Sequence, residues 1–327
     1  MRTLRRSARR RLHCAFVPAT DKAYASMFRL FIAFTVFLNT TINQVNADFL
    51  LLYLEFLVYN GASPSQVANH LSALKAKFII FSLDSPMFDD PRLSYFIRSL
   101  KLNAPLRVTL HNIIDIKLLT SIIRQCDKFY MGQIFKAMYL LAFFSFLRLS
   151  NMCPHSKNSF SPLKHLTPQD IFFKQDSAIV LIKWSKTLQF NNQVKLLHIP
   201  VLNNHLCPVT AIRNVMALSP QGSNVPLFQY KTHLGWAPVT DNQVRANLRN
   251  ILLSLNLSSS HVTFHSFRRS GATFAFNNNV PLQAIKHQGT WTSDCVWKYI
   301  VDSADAGSKV AETFHWDVFS YFIQILI

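Results

Sequence analysis

The chain has 327 residues, half of them hydrophobic, with 34 Lys and Arg against 16 Asp and Glu and a net charge of +18. That length makes one large domain or two ordinary ones, and 15% charged residues with few glycines exclude a disordered or collagen-like chain. So large a positive excess, with Glu55 and Glu312 the only glutamates, predicts an anionic polymer or surface as partner, nucleic acid first.

The five cysteines, Cys14, Cys126, Cys153, Cys207 and Cys295, are scattered and contain no Cys-x-x-Cys. A disulfide framework or zinc ribbon is not expected, and they read as reduced intracellular thiols, mostly buried. The apolar runs Phe31 to Leu38, Phe49 to Tyr59, Met138 to Leu147 and Val318 to Ile327 all fall short of a bilayer span, so no membrane is expected. Six arginines crowd the first eleven residues without an apolar core behind them. That excludes a secretory signal and leaves a basic arm, residues 1–21, for nucleic acid or nuclear import, with a mitochondrial presequence as the alternative.

No repeats or low-complexity tracts interrupt the chain. Four helices are predicted in residues 22–100. The first runs from about Lys22 to Asn39. The second is N-capped by Asn46 and stopped at Gly61. The third opens on the capping box of Ser63 and Gln66, with Pro64 at its first position. The fourth opens at Pro91. The stretch from Asn103 to Val108, broken by Pro105, is the expected boundary, giving a helical unit at 22–105 and a second domain at 106–327. Helices follow at Asp115–Gln125 and Gly132–Leu147. Three strand-like runs, Asp170–Phe173, Ala178–Trp184 and Val194–Ile199, describe one small antiparallel sheet. Pro208 opens another helix, Thr240 and Gln243 cap the next, and the rest reads as short helices. The predicted fold class is therefore mainly α with a small antiparallel sheet.

Four segments carry reactive residue types. Arg148 ends the apolar helix LLAFFSFLRLSNM, where an unpartnered guanidinium would be costly to bury. It needs a carboxylate, a carbonyl or a phosphate. Lys186 sits in IKWSKTLQF at a hairpin tip, as a solvated turn lysine or as a donor reaching into a cleft. In FHSFRRSGATFAF, His265 and Arg268 share one helix face, as an ordinary basic surface or as two groups on one anion. Tyr299 closes IKHQGTWTSDCVWKYI, and taken alone reads as packing.

The order of these residues resembles that of the tyrosine recombinases, the phage-type integrases. RLS is similar to that family's first arginine box, HSFRRSGAT to its second, GTWTSDCVWKYI to its tyrosine box, and SKTLQ to its lysine turn. NHLSALKAKF resembles its helical core-binding domain, and the wording of the boxes is most similar to eukaryotic mobile-element versions of Crypton or DIRS type. The likeness spans about residues 22 to 300. It implies a helical core-binding domain followed by an α+β catalytic domain. It also implies double-stranded DNA as partner, self-association into a tetramer on DNA, and a nuclear location in a eukaryote or a cytoplasmic one otherwise.

The chemistry that the resemblance implies suits these residue types. Arg148 and Arg268 would hold the non-bridging oxygens of the phosphodiester by bidentate, charge-assisted hydrogen bonds. Tyr299 would attack and leave a 3′-phosphotyrosine link. Lys186 would protonate the leaving 5′-oxygen, and His265 would accept the tyrosine proton or bind the phosphate. No metal, ATP or organic cofactor is implied. Two positions depart from the family pattern. Asn151 stands where an acidic residue is usual, and Thr290 stands where His or Trp is usual. Trp291, one residue later, is expected to fill the latter role ahead of His287. The rival readings are an inactive, domesticated DNA-binding descendant, a type IB topoisomerase, and a basic membrane-associated helical protein.

Overall fold

A computed structural model describes residues 4, 7, 10–12, 14–105, 113–126, 129–184, 194–258, 262–291 and 293–300. Lys186, most of the basic arm and the apolar end of the chain lie outside the described residues. The chain forms two compact units, Met1–Val108 and Thr109–Ile327. No helix among the described residues is long and apolar enough to cross a membrane.

The first unit holds four helices: α1 (Pro18–Phe37), α2 (Ala47–Tyr59), α3 (Pro64–Ile80) and α4 (Pro91–Leu102). Helix α1 starts four residues before the expected Lys22, because Pro18 sits in its first turn, where a missing N–H is harmless. The caps read from sequence form as hydrogen bonds. Asn46 Oδ1 accepts from the Phe49 N–H at 2.9 Å, and the Ser63 N–H donates to Gln66 Oε1 at 2.8 Å. Gly61 stops α2 with φ of 81°, which an L side chain rarely adopts. The core is aromatic. Phe31, Phe34, Tyr53 and Phe78 are buried and meet largely edge to face, Phe31 and Tyr53 at 5.0 Å. Each such ring contributes roughly 1.5–3 kcal/mol by burial. The buried Lys77 ammonium is held by Asp21 at 2.6 Å.

The second unit is built on α6 (Tyr130–Ser145), whose Ile134 and Ala137 to Phe143 are buried on every side. Helix α5 (Ile116–Gln125) precedes it, N-capped by Asp115, and α7 (Leu149–Met152) follows as a single turn. Around α6 pack α8 (Pro208–Ala217), α10 (Phe264–Asn277) and the sheet edge β3. The sheet β1 (Ile171–Phe173), β2 (Ser177–Ile182) and β3 (Lys195–Pro200) is antiparallel, with Ile171 opposite Val180 and Ile182 opposite Lys195. Alternation along β2 buries Ala178, Val180 and Ile182. Helix α9 (Asp241–Ser254) opens on the Thr240–Gln243 capping box, and α11 is Leu282–Gln288.

Three sequence expectations need correction. There are two sheets, not one: β4 (Gln229–Thr232) and β5 (Gly235–Pro238) form a second antiparallel hairpin. Its two-residue turn is His233–Leu234, with none of the Asn-Gly or Asp-Gly chemistry that marks such turns. The segment after α9 is not all short helices, since α10 runs for 14 residues. The cysteines are not mostly buried: Cys153 and Cys207 are, Cys126 and Cys295 are half-buried, and Cys14 is exposed.

One glycine sets the approach of α10 to α6. A Cβ at Gly271 would run into the Phe143 carbonyl and the Phe146 ring. Gly271→Ala therefore separates the two helices and should cost about 1–3 kcal/mol of overpacking strain. A lowered midpoint in urea with an unchanged slope is the expected result.

Candidate active site

Helix α6 ends abruptly. Phe146 takes a left-handed conformation, φ 54°, which costs a non-glycine residue about 1–2 kcal/mol. The reversal frees the Phe146 carbonyl from the helix and offers it to Arg268, whose Nη1 donates to it. The chain then runs through buried Leu147 to Arg148. That residue is the N-cap of α7 rather than the end of α6. Arg148 is half-buried, and its Nη1 donates to Thr290 Oγ1 at 3.4 Å. It makes no ion pair among the described residues. Burial lowers its pKa, opposed by Tyr299 and Cys295.

Arg268 is the largest fully buried side chain of the described residues, 1% exposed. Helix α10 places it. The Thr263 N–H donates to Ser266 Oγ at the start of the helix, and Phe264 and Phe267 bury against Tyr139, the Tyr139 and Phe267 rings stacked 5.0 Å apart. Arg268 Nη2 donates to the Gly289 carbonyl at 2.6 Å. Its Cζ lies 4.1 Å from the centroid of the Trp291 ring and 5.3 Å from that of Tyr299. Burial, then the charge of Arg148, lowers its pKa, and Tyr299 opposes both. A guanidinium held by carbonyls and ring faces, with no carboxylate among these partners, keeps its charge uncompensated.

The turn after α11 ties these groups together. Trp291 N–H bonds to the Lys286 carbonyl at 2.9 Å and Thr290 N–H to the His287 carbonyl at 3.1 Å, the paired bonds of a Schellman cap. The left-handed position of that cap normally takes glycine. Here Thr290 occupies it at φ 56°, while glycine sits one residue earlier. The reason is the indole: a Cβ on Gly289 would collide with the Trp291 ring. A β-branched residue in this conformation is a genuine outlier, and strain of this kind concentrates at working sites. Gly289 supplies the carbonyl for Arg268, Thr290 the hydroxyl for Arg148, and Trp291 the ring over Arg268. Thr290, a departure at the sequence level, is thus a partner of the first arginine, and Trp291 is buried 4.9 Å from the Tyr299 ring. The His287 side chain is exposed, in the last turn of α11.

Tyr299 follows the short turn Asp294–Lys298 and is half-buried. Its carbonyl accepts from Thr273 Oγ1 at 3.2 Å. His265 is exposed, and its ring lies 5.1 Å from the Tyr299 ring. Burial, followed by repulsion from Arg268, Arg269, Arg148 and Arg245, lowers the His265 pKa to about 4. The imidazole is therefore neutral at pH 7 and able to take a proton. Because its folded pKa is depressed, protonation below the ordinary value of 6.5 favours the unfolded chain, and this contribution to stability falls as pH drops from 6.5 toward 4. Titration of the His265 ring by NMR should show a midpoint near 4 without any anion, rising when phosphate is added.

The structure brings Arg148, His265, Arg268, Trp291 and Tyr299 together. Lys186 lies outside the described residues. The neighbouring Lys183 is held by Asp170 at 2.6 Å. Asn151 is buried, its N–H bonded to the Arg148 carbonyl at 3.0 Å and its Nδ2 to the Trp184 carbonyl at 2.5 Å, an arrangement that needs a donor where a carboxylate has none. The sequence reading missed Arg269 and the Gly289 carbonyl; the only sequence signal for the former is the doubled arginine in HSFRRSG. Four buried side-chain polar atoms of the described residues lack hydrogen-bond partners, and three of them, Arg268 Nε, Arg269 Nε and Trp291 Nε1, belong to this site. All three are donors, so the site is short of acceptors.

No protein-family profile matches the sequence, and no curated protein resembles it. Solved structures do. The Tn1549 transposon integrase in complex with circular-intermediate DNA is 15% identical, with a TM-score of 0.55 over 83% of this chain and 86% of that one. The XerH site-specific recombinase bound to a palindromic difH substrate is 14% identical, with a TM-score of 0.60 over 88% of this chain and 77% of that one. A lambda integrase dimer bound to a COC′ core site is 13% identical, with a TM-score of 0.55 over 88% and 90%. The chain has the tyrosine recombinase fold, mainly helical with small antiparallel sheets.

Proposed function

We propose that this chain is a tyrosine recombinase that cuts and rejoins double-stranded DNA through a 3′-phosphotyrosine intermediate, in the service of a mobile element. The observation that carries the reading is the cluster of buried, acceptorless donors beside Tyr299 and a neutral histidine. A phosphodiester is an acceptor of the kind the site lacks, and its charge grows in the transition state, where fixed donors act most strongly. The Tyr299 oxygen attacks phosphorus as its proton passes to His265. The phosphorus–O5′ bond breaks, and Lys186 protonates the leaving oxygen. Attack by the 5′-hydroxyl of another strand reverses each transfer, restores the tyrosine and conserves the number of phosphoester bonds. The first unit serves as a DNA-binding domain, and copies assemble as a tetramer on DNA, in the nucleus if the host is a eukaryote.

The test is a nicked substrate from which the short 5′-hydroxyl fragment diffuses after cleavage. A covalent protein–DNA adduct that survives denaturation is expected, on a complex whose affinity falls steeply between low and moderate salt through counterion release. Salt-sensitive binding with no adduct on any duplex would favour the second reading, a DNA-binding descendant without catalysis. One feature favours that alternative: Arg268 already donates to two backbone carbonyls.

A further inference from the structure

Of the two arginines that the resemblance assigns to the phosphate, Arg148 is half-buried and Arg268 is sealed. Arg268 is 1% exposed, with the Trp291 and Tyr299 rings beside its guanidinium and both Nη atoms on carbonyls. It braces the turn at Gly289–Trp291. The next residue, Arg269, is half-buried, and its Nε is sealed from water with no hydrogen-bond partner among the described residues. His265, Arg269 and Thr273 are spaced i, i+4, i+8 on α10, one stripe of one helix face. The residues on either side of Arg269 in this stripe both meet the tyrosine segment, His265 at the Tyr299 ring and Thr273 at the Tyr299 carbonyl. Arg269 lies between them, close enough for the phenol to influence its charge.

We propose that Arg269 is a phosphate-binding guanidinium, which grips the scissile phosphate together with Arg148 while Arg268 acts from beneath as a brace. This rests on the recombinase reading and adds to it a residue outside the two arginine positions of the family pattern. A guanidinium fork matches two phosphate oxygens, and an acceptor arriving with DNA would satisfy the buried Nε–H. The phosphorane-like transition state carries one more negative charge than the ground state, so a further cation counts most there.

The experiment compares wild type, Arg269→Gln and Arg269→Lys in single-turnover adduct formation on nicked DNA. Each runs on an ordinary substrate and on one whose scissile phosphate is an uncharged methylphosphonate. Thermal unfolding and DNA affinity are measured for each variant. On ordinary DNA, Arg269→Gln should lose roughly 10²-fold in rate while binding and melting stay near wild type, and Arg269→Lys should fall between the two. On the methylphosphonate, which lacks the charge that Arg269 is proposed to meet, the gap between wild type and Arg269→Gln should close. An unchanged rate for Arg269→Gln on ordinary DNA overturns the proposal. So does an equal defect on both substrates, which marks a structural role. Wild type is scored first: without an adduct the recombinase reading falls and this inference with it, whereas a wild-type adduct with an unaffected Arg269→Gln removes Arg269 alone.

Discussion

Tyr299→Phe should abolish the covalent adduct and leave DNA binding intact. The substitution removes one oxygen and keeps the ring, so the contacts with Trp291 at 4.9 Å and His265 at 5.1 Å persist. The backbone bond from Thr273 to the Tyr299 carbonyl does not involve the side chain at all. Stability should change by no more than the ~0.5 kcal/mol of an innocuous substitution. On the proposed reading affinity comes from the chain's positive charge and should follow the same salt dependence as wild type. The measurement is a denaturing gel of labelled nicked DNA beside an equilibrium titration. An adduct from Tyr299→Phe would assign the nucleophile to another hydroxyl.

Arg268→Ala should fail in two ways at once. It removes the buried guanidinium from beside two rings and strands the Phe146 and Gly289 carbonyls without donors. The hole and the lost hydrogen bonds should cost about 2–5 kcal/mol, although relief of an unpaired buried charge returns part of this. The structure predicts a lowered unfolding midpoint as well as a cleavage loss of roughly 10²–10³-fold. Arg268→Met separates the effects: it fills most of the volume without the charge, so stability should recover further than activity. If Arg268→Met restores both, Arg268 is packing only.

The sequence determined those elements whose cause is local. Asn46, Ser63 with Gln66, and Thr240 with Gln243 announce helix starts because a cap is a contact between residues three apart, and each forms as read. Runs rich in Val, Ile and Leu disclosed β2 and β3 because such side chains suit a pleated, half-buried surface. The β4–β5 hairpin was silent because its turn carries no glycine or asparagine at its two central positions.

The site residues were legible as an order of types, Arg148, His265, Arg268, Trp291 and Tyr299, but their partnerships were not. Whether Arg148 meets a carboxylate or a hydroxyl depends on Thr290, 142 positions away. Whether Arg268 faces solvent or lies sealed depends on where α6 breaks at Phe146 and on an indole that fits only over Gly289. Residue types and helical spacing are properties of short stretches of chain. Burial and the direction of a donor come from segments joined only by packing, so the tertiary structure alone decided that Arg268 lies sealed on two carbonyls while Arg269 is only half-buried.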